Sequence, residues 1–497
     1  MIVNPLRRLA GQTAVYGLSS IIGRLLNYLL VPLYTRVLIT SEYGIYTEMY
    51  AYVSILWVIL TYGMETTFFR FSQSEKDKHS VYTTSLLSLV LTSGLFLIVT
   101  LIYSKPVADW LGYAEKVHYV IWFAFILAFD AITAIPFAKL RQENRPVKFA
   151  LIKIINIGTN IGLNLFFILL CPFILTNYPD TYFSDFILLF FNSNDLVGYI
   201  FISNLIASTL TLILLLPDFP LRNIVFDFAL WKRMLSYTWP LLIVAVAGSV
   251  NLSLDKILLV RLLPDDVDAM AQVGIYGACY KVSIIMTLFV QTFRYAADPF
   301  FFSESGKLES RQLYAEVLTI FTIAVSVIFL MTVMYLDVVI LFIGGAYREG
   351  KEVIPVLLMG NLFLGIYYNL SIWYKLTNQT IYGAILSLVG ATLSVLLNFL
   401  LIPSMGYYGS AWAAFAAYFV MMVLSYFIGQ RHFKVPYDVK RLIFYPVLSV
   451  LLYLFSGLIN LENQAHQLLI NSFLVVIFFI IIILLDKKLL LSVFRKG

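Results

Sequence analysis

Apolar stretches of about twenty residues follow one another along almost the whole chain, and this succession constrains the fold more than any other feature. A helix rises 1.5 Å per residue and the hydrocarbon core of a bilayer is about 30 Å thick, so about 20 apolar residues make one crossing. Fourteen such runs can be placed, at 12–34, 44–65, 82–104, 117–138, 149–171, 196–216, 236–260, 273–302, 314–336, 353–373, 381–402, 408–428, 441–460 and 467–485. They are continuous rather than alternating, which selects helices over a membrane barrel. Only 12% of the 497 residues are charged, against about 25% in soluble domains. The expected fold is therefore an all-α polytopic membrane protein of 14 transmembrane helices, with no segment left over for a soluble catalytic domain. Arg7 and Arg8 precede the first run as in a signal peptide, but that run lacks a small-residue cleavage site and reads as a retained helix.

The loops give the helices a direction. Lys and Arg concentrate in cytoplasmic loops. With the N-terminus inside, alternate connections and the two termini collect 23 basic residues on the cytoplasmic side and 6 on the other (Arg36, Lys105, Lys116, Arg261, Arg348 and Lys351). This alternation predicts an even number of spans with both termini in the cytoplasm. The same bias accounts for most of the net charge of +6, so no nucleic-acid partner is implied. Cys171 and Cys279 lie in apolar runs and read as packing residues, and the four histidines lack metal-ligand spacing.

The chain also repeats itself. Val37-Leu38 leads to Gly44-Ile45-Tyr46 and Tyr50, and Leu262-Leu263 leads to Gly274-Ile275-Tyr276 and Tyr280. Lys139-Leu140 precedes Ala150, Asn164 and Pro172 as Lys375-Leu376 precedes Ala384, Asn398 and Pro403. Spans 1–6 thus correspond to spans 7–12. Six is even, so the repeats are parallel, related by an axis along the membrane normal. The expected division is 1–225 for the first lobe, 226–435 for the second and 436–497 for two further helices.

On Thr35-Arg36-Val37-Leu38 with Glu42-Tyr43-Gly44-Ile45-Tyr46, Asp255-Lys256, Gly274-Ile275-Tyr276 through Lys281 to Pro299-Phe300-Phe301, and Asn398–Pro403 with Gly406 and Gly409, the chain resembles O-antigen-type polysaccharide flippases. These belong to the multidrug/oligosaccharidyl-lipid/polysaccharide exporter superfamily. The resemblance implies a two-lobed, non-enzymatic exporter of a polyprenyl-pyrophosphate-linked oligosaccharide (an O-antigen, capsule or exopolysaccharide repeat unit) in a bacterial inner membrane. It further implies association with polysaccharide polymerase or assembly proteins and a monomer as the working unit. No P-loop pattern is present, so H+ or Na+ as coupling ion is expected rather than ATP, and no cofactor.

Polar residues inside spans are costly and mark pathways or partners. Arg24 lies mid-span on a face with Thr13, Gly17, Ser20 and Asn27, and a guanidinium suits phosphate. Lys153, Asn156, Asn160 and Asn164 form a stripe on the fifth span, whose amides can bond sugar hydroxyls or join helices, and Gly158 and Gly162 there suggest close approach by another helix. Asp255 has three open roles: titration, binding a coupling cation, or neutralising a base in the other lobe. Lys281 is expected to line a cavity. Arg294 lies 13 residues further on and on a different face, so both line one path only if the helix bends or the cavity is broad, and local pairing with Asp298 is an equal alternative for it. The candidate substrate residues are thus Arg24, Lys153, Lys281 and Arg294 as cations, with Asn27, Asn156 and Asn160 as polar contacts. Competing readings are a flippase for the lipid-linked peptidoglycan precursor, a drug exporter of the same superfamily, and a membrane polymerase or glycosyltransferase. The last lacks the large outer loop it would need, since 172–195 is apolar and acidic.

Overall fold

The computed structural model describes residues 25–220, 223–304, 310–377, 379–459 and 463–495. Arg24 and most of the first expected span lie outside the described residues. Among those described the chain is helical, without strands. The main helices are α1 (Val31–Val37), α2 (Thr40–Thr61), α3 (Met64–Ser74), α4 (Lys78–Ile102), α5 (Val117–Gln142), α6 (Pro146–Leu165), α7 (Tyr182–Leu188), α8 (Leu196–Leu215) and α9 (Phe228–Leu262). They continue with α10 (Ala269–Val282), α11 (Ile284–Glu304), α12 (Ser310–Met334), α13 (Val353–Leu370), α14 (Ile381–Met405), α15 (Tyr407–His432), α16 (Val439–Leu458) and α17 (Gln464–Arg495). Twelve helices among the described residues are long and apolar enough to cross a membrane, and one further pair passes that test together across a bend. Each falls on one of the expected spans from the second onward.

Two departures from the expected spans have local causes. The eighth span is not one helix: α10 and α11 meet at Ser283 with a 48° bend. The fifth span runs past Pro172 to Asn177, by way of a wider π turn at Phe166–Leu170. Proline removes an N–H and crowds the carbonyl four residues back, and a π turn relieves that crowding. The connection at 172–195 is accordingly shorter than it reads in sequence and contains α7, closed at its start by a capping box between Thr181 and Ser184.

The described chain separates into two compact units, residues 25–38 with 45–253, and residues 39–44 with 254–495. In the first, Tyr62, Met64, Phe68, Leu86, Leu89 and Ile135 form part of one core. In the second, Ile323 and Leu330 of α12 pack with Tyr445 of α16 and Phe478 of α17, which holds the last two helices to this unit.

Contacts between loops follow the alternation of charge. On one side, His79 Nε2 meets the Asn223 carbonyl at 2.9 Å, Arg233 pairs with Glu75 at 2.8 Å, and Asp218 pairs with Arg145 at 3.2 Å and Lys148 at 2.5 Å. On the other, Asp195 binds Lys116 and His118, each at 3.2 Å, and the Tyr347 hydroxyl donates to the Ile39 carbonyl at 2.9 Å. In each case the joined loops are ones the sequence assigns to the same membrane face.

The two repeated glycines meet. A Cβ on Gly44 would overlap the Met270 carbonyl oxygen, and one on Gly274 would overlap that of Thr40. The starts of α2 and α10 therefore touch backbone to backbone, which only glycine allows at these two positions. Gly274→Ala is expected to cost about 1–3 kcal/mol by overpacking. It should lower the detergent melting temperature, whereas Gly94→Ala, where nothing lies within 4 Å, should not. The matched asparagines share a geometry as well: Asn164 Nδ2 donates to the Asn160 carbonyl and Asn398 Nδ2 to the Ser394 carbonyl, both at 2.7 Å.

Candidate functional site

Each unit carries its own cluster of polar groups at membrane depth. In the first unit, the stripe on α6 faces α8 and the start of the described chain. Asn156 donates to Thr211 Oγ1 at 2.9 Å, and Asn160 Nδ2 lies 3.4 Å from Asn27 Oδ1. Asn164 is buried and accepts from the Tyr34 hydroxyl at 2.8 Å. With both of its side-chain atoms bonded, Asn164 serves the architecture. Asn27 is exposed, and Asn156 and Asn160 keep partial exposure, so their unused amide valences stay available to a polar ligand. Gly158 and Gly162 do not provide the close approach read from their spacing, because no described atom lies within 4 Å of a Cβ built on either.

Lys153 packs against α5. Its ammonium lies 4.1 Å from the centre of the Phe137 ring and within the field of Asp130, which accepts a hydrogen bond from Ser208. Asp130 is the residue that sequence reasoning left without a role. The signal was present, since a single acid stands in the apolar run 119–135. Its partner was not legible, because Lys153 and Asp130 sit on different helices. Tyr50, whose hydroxyl accepts from Asn204 at 2.8 Å and whose ring stands 4.8 Å from that of Tyr46, was also missed.

In the second unit, Asp255 and Lys256 are neighbours on α9 and both are buried, at 6% and 8% exposure. Lys256 Nζ donates to Asp255 Oδ1 at 2.9 Å, and the Tyr276 hydroxyl donates to Oδ2 at 2.7 Å. Adjacent helical residues point about 100° apart, but the four-carbon lysine stem curls back to its neighbour's carboxylate. Asp255 thus has its basic partner within its own unit. The Lys256 ammonium also lies 4.3 Å from the centre of the Tyr280 ring, a cation–π distance.

Lys281 follows at the end of α10, with Lys256 in its electrostatic field. Among the described residues it has no acidic partner. Asp255 is paired with Lys256, and the charged group that acts on Lys281 is the Lys256 ammonium. Arg294 lies beyond the bend on α11 and is exposed, its guanidinium carbon 4.8 Å from the centre of the Tyr368 ring. The bend supplies the condition under which Lys281 and Arg294, in different registers, can serve one path. No group of three or more His, Cys, Asp or Glu among the described residues could hold a metal ion.

The sequence pattern described as "Polysaccharide biosynthesis protein" matches residues 9–305, more than half of the chain. The chain belongs to the polysaccharide biosynthesis protein family. Curated proteins give no match to this member at the sequence level. Solved structures do. Lipid II flippase MurJ in an inward closed conformation superposes with a TM-score of 0.70 at 13% identity, covering 96% of this chain and 99% of that one. A multidrug resistance MATE family transporter of the MOP superfamily superposes in its inward-facing conformation with a TM-score of 0.57 at 13% identity, over 84% of this chain and 94% of that one. Its outward-facing conformation gives 0.56 with the same identity and coverage. At these identities the likeness is one of fold: the family member described here is a multi-pass membrane protein built like the flippases and transporters of this superfamily.

Proposed function

We propose that the protein is a flippase that moves a polyprenyl-pyrophosphate-linked oligosaccharide from the cytoplasmic to the periplasmic face of a bacterial inner membrane. The observation that carries this reading is the Lys281 ammonium, in the field of Lys256 and with no acidic partner among the described residues, in a member of a polysaccharide biosynthesis family. A pyrophosphate is the anion such an ammonium suits, whereas cationic drugs do not match it. The amides of Asn27, Asn156 and Asn160 supply donors and acceptors for sugar hydroxyls. Arg24, outside the described residues, adds a guanidinium to the same inventory. Fourteen spans arranged as six, six and two, both termini in the cytoplasm, and alternating access driven by an H+ or Na+ gradient complete the proposal.

A second reading, transport of the lipid-linked peptidoglycan precursor, is favoured by the full-length superposition on Lipid II flippase MurJ. Gene deletion separates the two. The oligosaccharide reading expects viable cells with lipid-linked repeat units stranded on the cytoplasmic face. Lethality with stalled peptidoglycan precursor would replace it with the second.

A further inference from the structure

The short helix α7 exposes a large apolar face that no described part of the chain covers. Tyr182 is 94% exposed, Phe183 74%, Phe186 62% and Leu189 81%. Soluble surfaces rarely carry so many large apolar side chains together. The opposite face, with Ser184 and Ile187, is buried, and Ile187 and Phe191 belong to one apolar cluster with Phe167 and Cys171. The Phe190 ring lies 6.4 Å from those of Phe166 and Phe167.

Those partners fix the depth of the segment. Phe167 and Cys171 lie ten and six residues before Asn177, where this membrane-crossing helix ends. At 1.5 Å per residue they sit roughly 9–15 Å back along the crossing helix. The segment after Asn177 therefore folds down beside the end of the span instead of standing above it. The same span exposes Leu165, Leu169, Leu170 and Phe173 as well. No Lys or Arg occurs between Lys153 and Arg222, so attraction to anionic headgroups is not what would hold it.

We propose that residues 182–190 form an interfacial anchor whose Tyr182, Phe183, Phe186 and Leu189 embed in the headgroup–acyl boundary of the leaflet at this end of α6. The capping box satisfies the N–H groups of Thr181 and Ser184 within the segment, and aromatic side chains are those favoured at that boundary. The occupant is lipid, and zwitterionic lipid suffices.

Site-directed spin labels test this in the full-length protein, because both native cysteines are buried. Phe183→Cys, Phe186→Cys and Leu189→Cys would each be labelled and the protein placed in phosphatidylcholine nanodiscs. Asp180→Cys, at the exposed turn, serves as the aqueous reference. Power saturation should give higher accessibility to oxygen than to a water-soluble nickel chelate at 183, 186 and 189, at a depth of about 5–10 Å, with the order reversed at 180. Preferential nickel access at all four positions would overturn the proposal. So would low access to both reagents, which would mean that protein covers this face. Either result would leave the substrate assignment untouched, since the readout contains no transport step.

Discussion

Asp255→Ala is expected to deplete folded protein from the membrane. The substitution removes the carboxylate 2.9 Å from the ammonium of Lys256, a residue only 8% exposed. It also takes the acceptor from the buried Tyr276 hydroxyl. Removing one member of a buried ion pair costs about 3–5 kcal/mol, because the remaining charge keeps its desolvation penalty and loses its compensation. The double variant Asp255→Ala/Lys256→Met removes both charges and should recover most of the lost stability. Melting of the detergent-solubilised protein checks the pattern. Single and double variants melting together at the wild-type temperature would show that the pair is not a structural unit.

The second large effect is on transport. Lys281 has no acidic partner among the described residues, so Lys281→Ala removes a positive charge free to meet an anionic substrate group. A charge-assisted hydrogen bond is worth about 1.5–3 kcal/mol, which is roughly a 10- to 100-fold loss in an equilibrium constant. Export of lipid-linked oligosaccharide should fall by about that factor while the amount of protein in the membrane is unchanged. Lys281→Arg should retain part of the activity and Lys281→Glu none. Wild-type export by Lys281→Ala, at equal membrane level, would remove this lysine from the substrate path.

Much of the architecture was legible because membrane spans are written in composition alone. Each crossing needs its own apolar run, and loop charge records the face on which each run ends. The thirteen spans expected after the first fall on twelve helices and one bent pair among the described residues. The bend at Ser283 was legible only as a condition, in the mismatch of register between Lys281 and Arg294. Three features were not legible, for two physical reasons. Flexible side chains reach beyond the direction their Cα sets, which hid the pairing of Lys256 with the residue before it. Tertiary partners lie far apart in sequence, which hid the meeting of Asp130 with Lys153 and the return of Ile187 and Phe191 against the end of the fifth span. The glycine spacing at 158 and 162 meets no other helix among the described residues.

Movement of a lipid-linked oligosaccharide across a bilayer is the activity proposed for this chain. The direct measurement uses proteoliposomes holding the purified protein and a polyprenyl-pyrophosphate-linked oligosaccharide in both leaflets, with a membrane-impermeant glycosidase added outside. Wild-type protein should bring the inner-leaflet pool within reach of the enzyme, and Lys281→Glu should leave it protected. An inner-leaflet pool that stays protected with the wild-type protein under both H+ and Na+ gradients would contradict the account.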